Sequence, residues 1–160
     1  MNIFVTSTCP IESAKFLDDK RVIKMCAESV QILVTVLHLN GMKDTPIKPT
    51  HAGHPCVKWA SSSRANYKWL LRHTVALMHE KRRRYPDNKP HLYEQHINFL
   101  RNNSKRVLDR SLTPFVNCAA NSSIGVSYKH LDDITIAYQL YLNDRWDTDK
   151  REPTWHRISR

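Results

Sequence analysis

The sequence predicts a mainly α fold, a single compact helical domain over residues 1–160 with long first and second helices and irregular loops. Three observations lead there. Apolar residues recur at helical spacing over two long stretches, from Ile11 to about Leu39 and from Pro55 to about Tyr85. Only three glycines occur in 160 residues, and no glycine-rich dinucleotide or P-loop run is present. A hydrophobic content of 41% with 9% aromatics is enough to bury a core of one domain's size.

Taken in order, Met1 to Val5 is a short apolar start that reads as a strand-like segment or one packed on the core. Cys9-Pro10 ends it. The helical pattern then begins at Ile11, and Ala14, Phe16 and Leu17 lead into the first long helix. Asn40-Gly41 is a strong stop signal. Asp44 to Pro49 is a loop, and Pro55 suits the first position of the second helix, where its missing N–H costs nothing. Asp87 to Pro90 breaks that helix. Leu92 to Leu100 suggests a third, shorter one, Thr113 to Tyr128 an irregular functional loop, and Leu131 to Leu142 a last helix capped by Asp132 or Asp133.

The first long helix is apolar over most of its circumference, as a buried helix is. Lys20, Lys24, Glu28 and Gln31 nevertheless fall above one another on one face. Charge in an interior is costly unless paired. The stripe is therefore either a solvated seam with an ordinary Lys24–Glu28 pair or the wall of a site in which those two groups face a ligand.

The formal net charge of +10 favours a polyanionic partner, most simply nucleic acid. The second helix carries the densest positive stretch: Lys58, Arg64, Lys68, Arg72 and then Lys81 to Arg84. Its N-terminus, preceded by His51 and His54, is a natural anion site. Asn66 lies among these cations. Trp59 and Trp69 recur at helical spacing and read as core, whereas Trp155, flanked by Arg151, His156 and Arg157, reads as a wedge or stacking residue.

His51, His54 and Cys56 have metal-ligand types, with Cys118 as a distant fourth, but structural zinc sites show two tight pairs. No metal and no cofactor is expected. The four scattered cysteines read as reduced thiols. No apolar run approaches the ~18 residues of a membrane span, and the N-terminus lacks a signal peptide's layout. A soluble, cytoplasmic protein without a membrane partner is expected, with its oligomeric state open.

These residues carry a resemblance. Ala52-Gly53-His54 leading into a basic helix, and Arg151-x-Pro153-Thr154-Trp155 near the end, resemble the pyrimidine-dimer DNA glycosylases of the endonuclease V type. So does a first long helix with Arg21 in its opening turns. The runs Asp19 to Met25 with Glu28 and Gln31, and Pro49 to Cys56 with Trp59, Asn66 and Trp69, are also similar to a group of small phage proteins.

The resemblance implies an all-helical protein that bends double-stranded DNA, flips a nucleotide and works on the sugar–base bond. In such glycosylases the α-amine of residue 2, freed by loss of Met1, forms a Schiff base with the sugar, and a glutamate directly after the first-helix arginine assists. Here residue 2 is Asn2, too large for efficient Met1 removal, and Val22 follows Arg21, so the catalytic positions have diverged.

Asn2, Lys20, Arg21, Lys24 and Glu28 are the candidate catalytic residues. His51, His54, Lys58, Arg64, Asn66, Lys68, Arg82, Arg83, Arg84, Trp155 and Arg157 are the candidate nucleic-acid contacts. Three functions fit: a glycosylase/lyase-like enzyme acting on a damaged or modified pyrimidine, a transferase that modifies a thymine base, and a non-catalytic basic DNA-binding protein.

Overall fold

The computed structural model describes residues 1–156, so Arg157 lies outside the described residues. The chain enters through extended, buried Ile3, Phe4 and Val5, which pack on the core without pairing as a strand. Six α-helices follow among the described residues: α1 (Pro10–Phe16), α2 (Asp19–Leu39), α3 (Pro55–Ser62), α4 (Arg64–Arg84), α5 (Ile97–Asn102) and α6 (Ile134–Thr148). The sheet content is one small antiparallel pair, β1 (Ala120–Asn121) and β2 (Val126–Ser127), with Ala120 opposite Ser127. The mainly α class is as the sequence predicts.

Each of the two long helical stretches is broken once, where helical periodicity alone reads straight through. Between α1 and α2, Leu17 is extended, and Asp18 caps α2 by accepting a hydrogen bond from the Arg21 amide at 3.4 Å. Between α3 and α4, Ser63 is fully extended (φ −154°, ψ 150°) and its hydroxyl accepts from the Asn66 amide at 3.0 Å. Both breaks use a short polar side chain as an N-cap. α2 ends where expected, with Gly41 in the left-handed region (φ 88°) just past Asn40. Leu92 to His96 forms a tight 3₁₀ turn ahead of α5, and α6 starts at Ile134, where Asp133 accepts from the amides of Thr135 and Ile136.

α2 is the central element and packs against α3 and α4. By length and composition it is apolar enough to cross a membrane, a property missed in the run-length reading. Yet 61% of its most apolar stretch is buried inside the protein, as in the core helix of a folded domain. Trp59 and Trp69 are core residues: Trp59 stacks on Phe115 at 5.1 Å, and Trp69 meets the same ring edge-on at 4.8 Å.

Asn66, expected to face nucleic acid, is fully buried. Its side-chain amide donates to the Trp59 carbonyl (2.8 Å) and to Ser62 and Thr113 hydroxyls (3.0 and 2.7 Å), while its Oδ1 accepts from the Thr113 amide at 2.9 Å. It staples the α3–α4 corner to the strand-poor segment. Replacing Asn66 with Ala leaves these partners unsatisfied and is expected to cost about 2–3 kcal/mol. In thermal unfolding this is a Tm lower by roughly 4–12 °C, with the DNA affinity of the folded variant unchanged. Lost affinity at unchanged Tm would return Asn66 to the nucleic-acid face.

Candidate active site

A cleft of about 520 Å³ opens between the N-terminus, the first turns of α2, the start of α3, residues 118–129 and α6. Its geometry begins with Asn2. The Asn2 Oδ1 accepts from the buried Tyr138 hydroxyl at 2.8 Å and from the Ile3 amide at 2.8 Å, and its Nδ2 donates to the Cys118 carbonyl at 3.3 Å. So clamped, the Asn2 backbone nitrogen donates to Glu28 Oε2 at 3.1 Å. The terminal amine of Met1 lies 3.7 Å from the same oxygen, with the Met1 side chain only 4% exposed. Lys24 Nζ sits 3.3 Å from Glu28 Oε1. The polar stripe of α2 thus runs along the wall of the cleft, where Lys20, Lys24 and Glu28 face the opening.

Arg21 contributes differently from the expectation of a free catalytic cation. Its side chain is 6% exposed and bonds Asp18 at 3.0 Å and Asp149, at the end of α6, at 2.9 Å. Asp149 also meets Lys20 at 3.4 Å and Arg145 at 3.8 Å. Burial opposes the Asp149 charge, but Arg21 and then Lys20 outweigh it and hold the carboxyl below its usual range. Arg21 lines the cleft while tying α2 to α6, because two carboxylates occupy its guanidinium.

At the start of α3, His51 has φ 52° and its carbonyl accepts from the His54 amide at 2.8 Å. The His54 Nδ1 accepts from the Cys56 amide at 3.1 Å, capping the helix, and its ring lines the cleft. Burial, then the positive terminal amine and His51, push the His54 pKa down, favouring the neutral, accepting ring. Among the described residues no group of three His, Cys, Asp or Glu side chains is arranged to hold a metal ion. Cys56 and Cys118 place their sulfurs 4.0 Å apart beside Asn2.

The remaining cations divide. Lys58 and Lys68 are exposed. Arg64 is drawn to the chain after α5, bonding the Val107 and Lys105 carbonyls and Asp109. Arg82 is paired with Glu94, and Arg83 with Glu80 at 2.7 Å, both half-exposed. Arg84, expected to touch nucleic acid, is 2% exposed and bonds Glu80 and Asp19 inside the protein. Trp155 is 39% exposed, its Nε1 donating to the Phe16 carbonyl and its ring edge-on to Trp146 at 4.9 Å.

Tyr138, Lys129, Arg145 and Asp149 complete the surroundings of the site without any signal in sequence, whereas Cys118 lies in the segment read as a functional loop. All come from the chain's second half and reach the cleft only through the tertiary fold.

The strap carrying Trp155 is fastened at Asp19. The Asp19 amide donates to the Thr154 carbonyl at 2.8 Å, and its carboxylate accepts from the Thr154 hydroxyl (2.7 Å), the His156 amide (3.1 Å) and His156 Nδ1 (2.6 Å). Burial opposes the Asp19 charge, but the His156, Thr154 and Arg84 hydrogen bonds prevail and hold its pKa at about 2, below the ordinary 3.8. A carboxyl depressed in the folded state stabilises above its unfolded pKa, and that contribution is lost as pH falls through the folded value. Unfolding followed from pH 5 to pH 2 should therefore show a steep loss below about pH 4, and Asp19→Asn, less stable at neutral pH, should flatten it. Equal slopes would mean that Asp19 does not fasten the strap.

Comparison with known proteins bears on the first part of the chain. The family model for pyrimidine dimer DNA glycosylase matches residues 1–93, more than half of the chain, and the chain belongs to that family. No curated protein and no solved structure matches. The matched part contains the N-terminus, α2 with Glu28, and α3 and α4. Cys118, Lys129, Tyr138 and Arg145 lie outside it.

Proposed function

From membership in the pyrimidine dimer DNA glycosylase family, we propose that this protein is a base-flipping enzyme with DNA glycosylase/lyase-like chemistry. Its substrate is a damaged or modified pyrimidine in double-stranded DNA. The observation that carries the reading is the convergence of the Asn2 nitrogen, at 3.1 Å, and the terminal amine, at 3.7 Å, on Glu28 Oε2 at the wall of a cationic cleft. An α-amine at either residue, with Met1 kept or removed, thus meets the same carboxylate.

In this mechanism the extruded nucleotide presents its sugar to the amine. The nitrogen lone pair forms the bond to C1′, the glycosidic bond breaks with its electron pair going to the base, water protonates the departing base, and the C1′–O4′ bond then opens to give the Schiff base. Glu28 accepts the proton that the nitrogen must lose before the Schiff base can form. It takes the part of the family's glutamate from two turns further along α2, since Val22, directly after Arg21, is fully buried. Lys20, Lys24, Lys129 and Arg145 border the cleft and suit the phosphates flanking a flipped nucleotide. Lys58, Lys68, Arg82, Arg83 and the exposed part of Trp155 extend the DNA-binding surface.

A second reading rests on the same cations. In a transferase acting on a modified thymine, Lys20 and Lys24 hold a phosphate leaving group and Glu28 takes the proton of the incoming nucleophile. Mass spectrometry of nucleosides separates the two, using duplexes that contain thymine dimers, hydroxymethyluracil or phosphomethyluracil. Breakage of a glycosidic bond, read as a free base or, for a dimer, as a base held only through the cyclobutane ring, is the expected result, reduced about 10²–10⁴-fold in Glu28→Gln. A mass change on an intact nucleoside would select the transferase. Tight binding with no change in any substrate would select a non-catalytic DNA-binding protein.

A further inference from the structure

The thiols of Cys56 and Cys118 are held together beside Asn2 and have no part in the glycosylase reading. Cys56 is fully buried in the first turn of α3. Its Sγ lies 4.0 Å from Cys118 Sγ and 3.9 Å from Asn2 Oδ1. Cys118 is half-buried, lines the cleft, and sits in the irregular segment just before β1, outside any regular ladder. Of the two sulfurs, Cys118 is the reachable one.

That backbone also carries the clamp on residue 2. The Cys118 carbonyl accepts from Asn2 Nδ2 at 3.3 Å, and the Cys118 amide donates at 3.1 Å to the Tyr138 hydroxyl, which itself donates to Asn2 Oδ1. Any displacement of Cys118 toward Cys56 therefore pulls on both contacts that hold Asn2 against Glu28. A disulfide needs its sulfurs about 2 Å apart, so closing the 4.0 Å gap draws Cys118 and Cys56 together, and any part of that movement taken up by the Cys118 backbone is felt at Asn2.

We propose that Cys56 and Cys118 form an oxidisable thiol pair whose conversion to a disulfide by a hydroperoxide releases Asn2 from its clamp and so switches the cleft off. The functional consequence rests on the reading of the cleft given above; the chemistry of the pair does not. The Cys56 thiol donates toward Cys118, and Lys129 and the terminal amine are nearby cations; these lower the Cys118 pKa to about 7 against the opposing effect of burial. Cys56 is correspondingly raised, by that same hydrogen bond and by burial. Cys118 is then the thiolate that meets the oxidant.

Its sulfur attacks one peroxide oxygen, the O–O bond breaks, and a sulfenic acid forms with release of hydroxide or alkoxide. The Cys56 sulfur then attacks the sulfenic sulfur. The S–O bond breaks, and the hydroxyl leaves as water with the Cys56 proton. Two thiols are oxidised by two electrons and the hydroperoxide is reduced to water and, from an organic hydroperoxide, an alcohol. A thiol reductant reverses the bond by exchange.

The test uses the full chain treated with hydrogen peroxide without DNA, and then with dithiothreitol. The expected result is an intact mass lower by two hydrogens and a cross-linked peptide pair containing Cys56 and Cys118, absent from Cys56→Ser. Faster amide exchange at Asn2 and Cys118 should accompany it, and all of these changes should revert on reduction. Failure to form the cross-link, oxidation of Cys118 alone to a sulfinic acid, or a cross-link with unchanged exchange at Asn2 would each overturn the proposal.

Base release is then compared between the two forms, with at least a tenfold loss expected on oxidation; equal release would overturn the switch. A reduced protein inactive on every duplex would overturn the switch's functional consequence along with the glycosylase reading. Cross-linking and exchange report the thiol chemistry independently of that result.

Discussion

Arg84 is the interaction on which the arrangement of the helices depends. Carried at the end of α4 and almost wholly buried, it donates to Glu80 (3.1 Å), to Asp19 (3.0 Å) and to the carbonyls of Leu17 and Lys15 (2.7 and 3.1 Å). A buried guanidinium is tolerated only when its donors are satisfied, and losing one partner is far more costly than the pair is worth. α1 and the break after it supply the carbonyls and α2 supplies the Asp19 carboxylate, so the end of α4 is bonded to both elements. Asp19, so fixed, is also the anchor of the strap that bears Trp155.

From that anchor the path to the chemistry runs along α2 through Arg21. Arg21, held between Asp18 and Asp149, binds the start of α2 to the end of α6. With both ends of this arrangement fixed, Lys20, Lys24 and Glu28 project along the cleft at helical spacing. The N-terminal segment is brought to Glu28 by Asn2, whose side chain is bonded on both its oxygen and its nitrogen. Positive groups outnumber Glu28 at the cleft, a balance that suits a substrate carrying phosphates on either side of the reacting sugar.

Much of this was legible in the sequence, and the rest was hidden for identifiable reasons. Local signals held: the end of α2 at Asn40-Gly41, Pro55 opening a helix, and Asp133 as a cap. The polar stripe in an apolar helix led to Glu28 and Lys24 because periodicity places them on one face. The breaks at Asp18 and Ser63 were missed since apolar spacing continues across them and only the capping geometry reveals them. Asn66 and Arg84 read as nucleic-acid contacts and Arg21 as a catalytic residue because a polar residue's burial depends on partners distant in sequence. Thr113 lies 47 positions from Asn66, Asp149 128 from Arg21, and Asp19 65 from Arg84. Tyr138 gave no signal for the same reason.

The central claim is that an α-amine beside Glu28 attacks the sugar of a flipped nucleotide. Borohydride trapping on a lesion-containing duplex, followed by peptide mapping of the covalent adduct, tests it most directly. The account predicts an adduct on the N-terminal peptide, through the α-nitrogen of its first residue. An adduct on Lys20, Lys24 or Lys129 instead, or none from a protein that releases base, would contradict it.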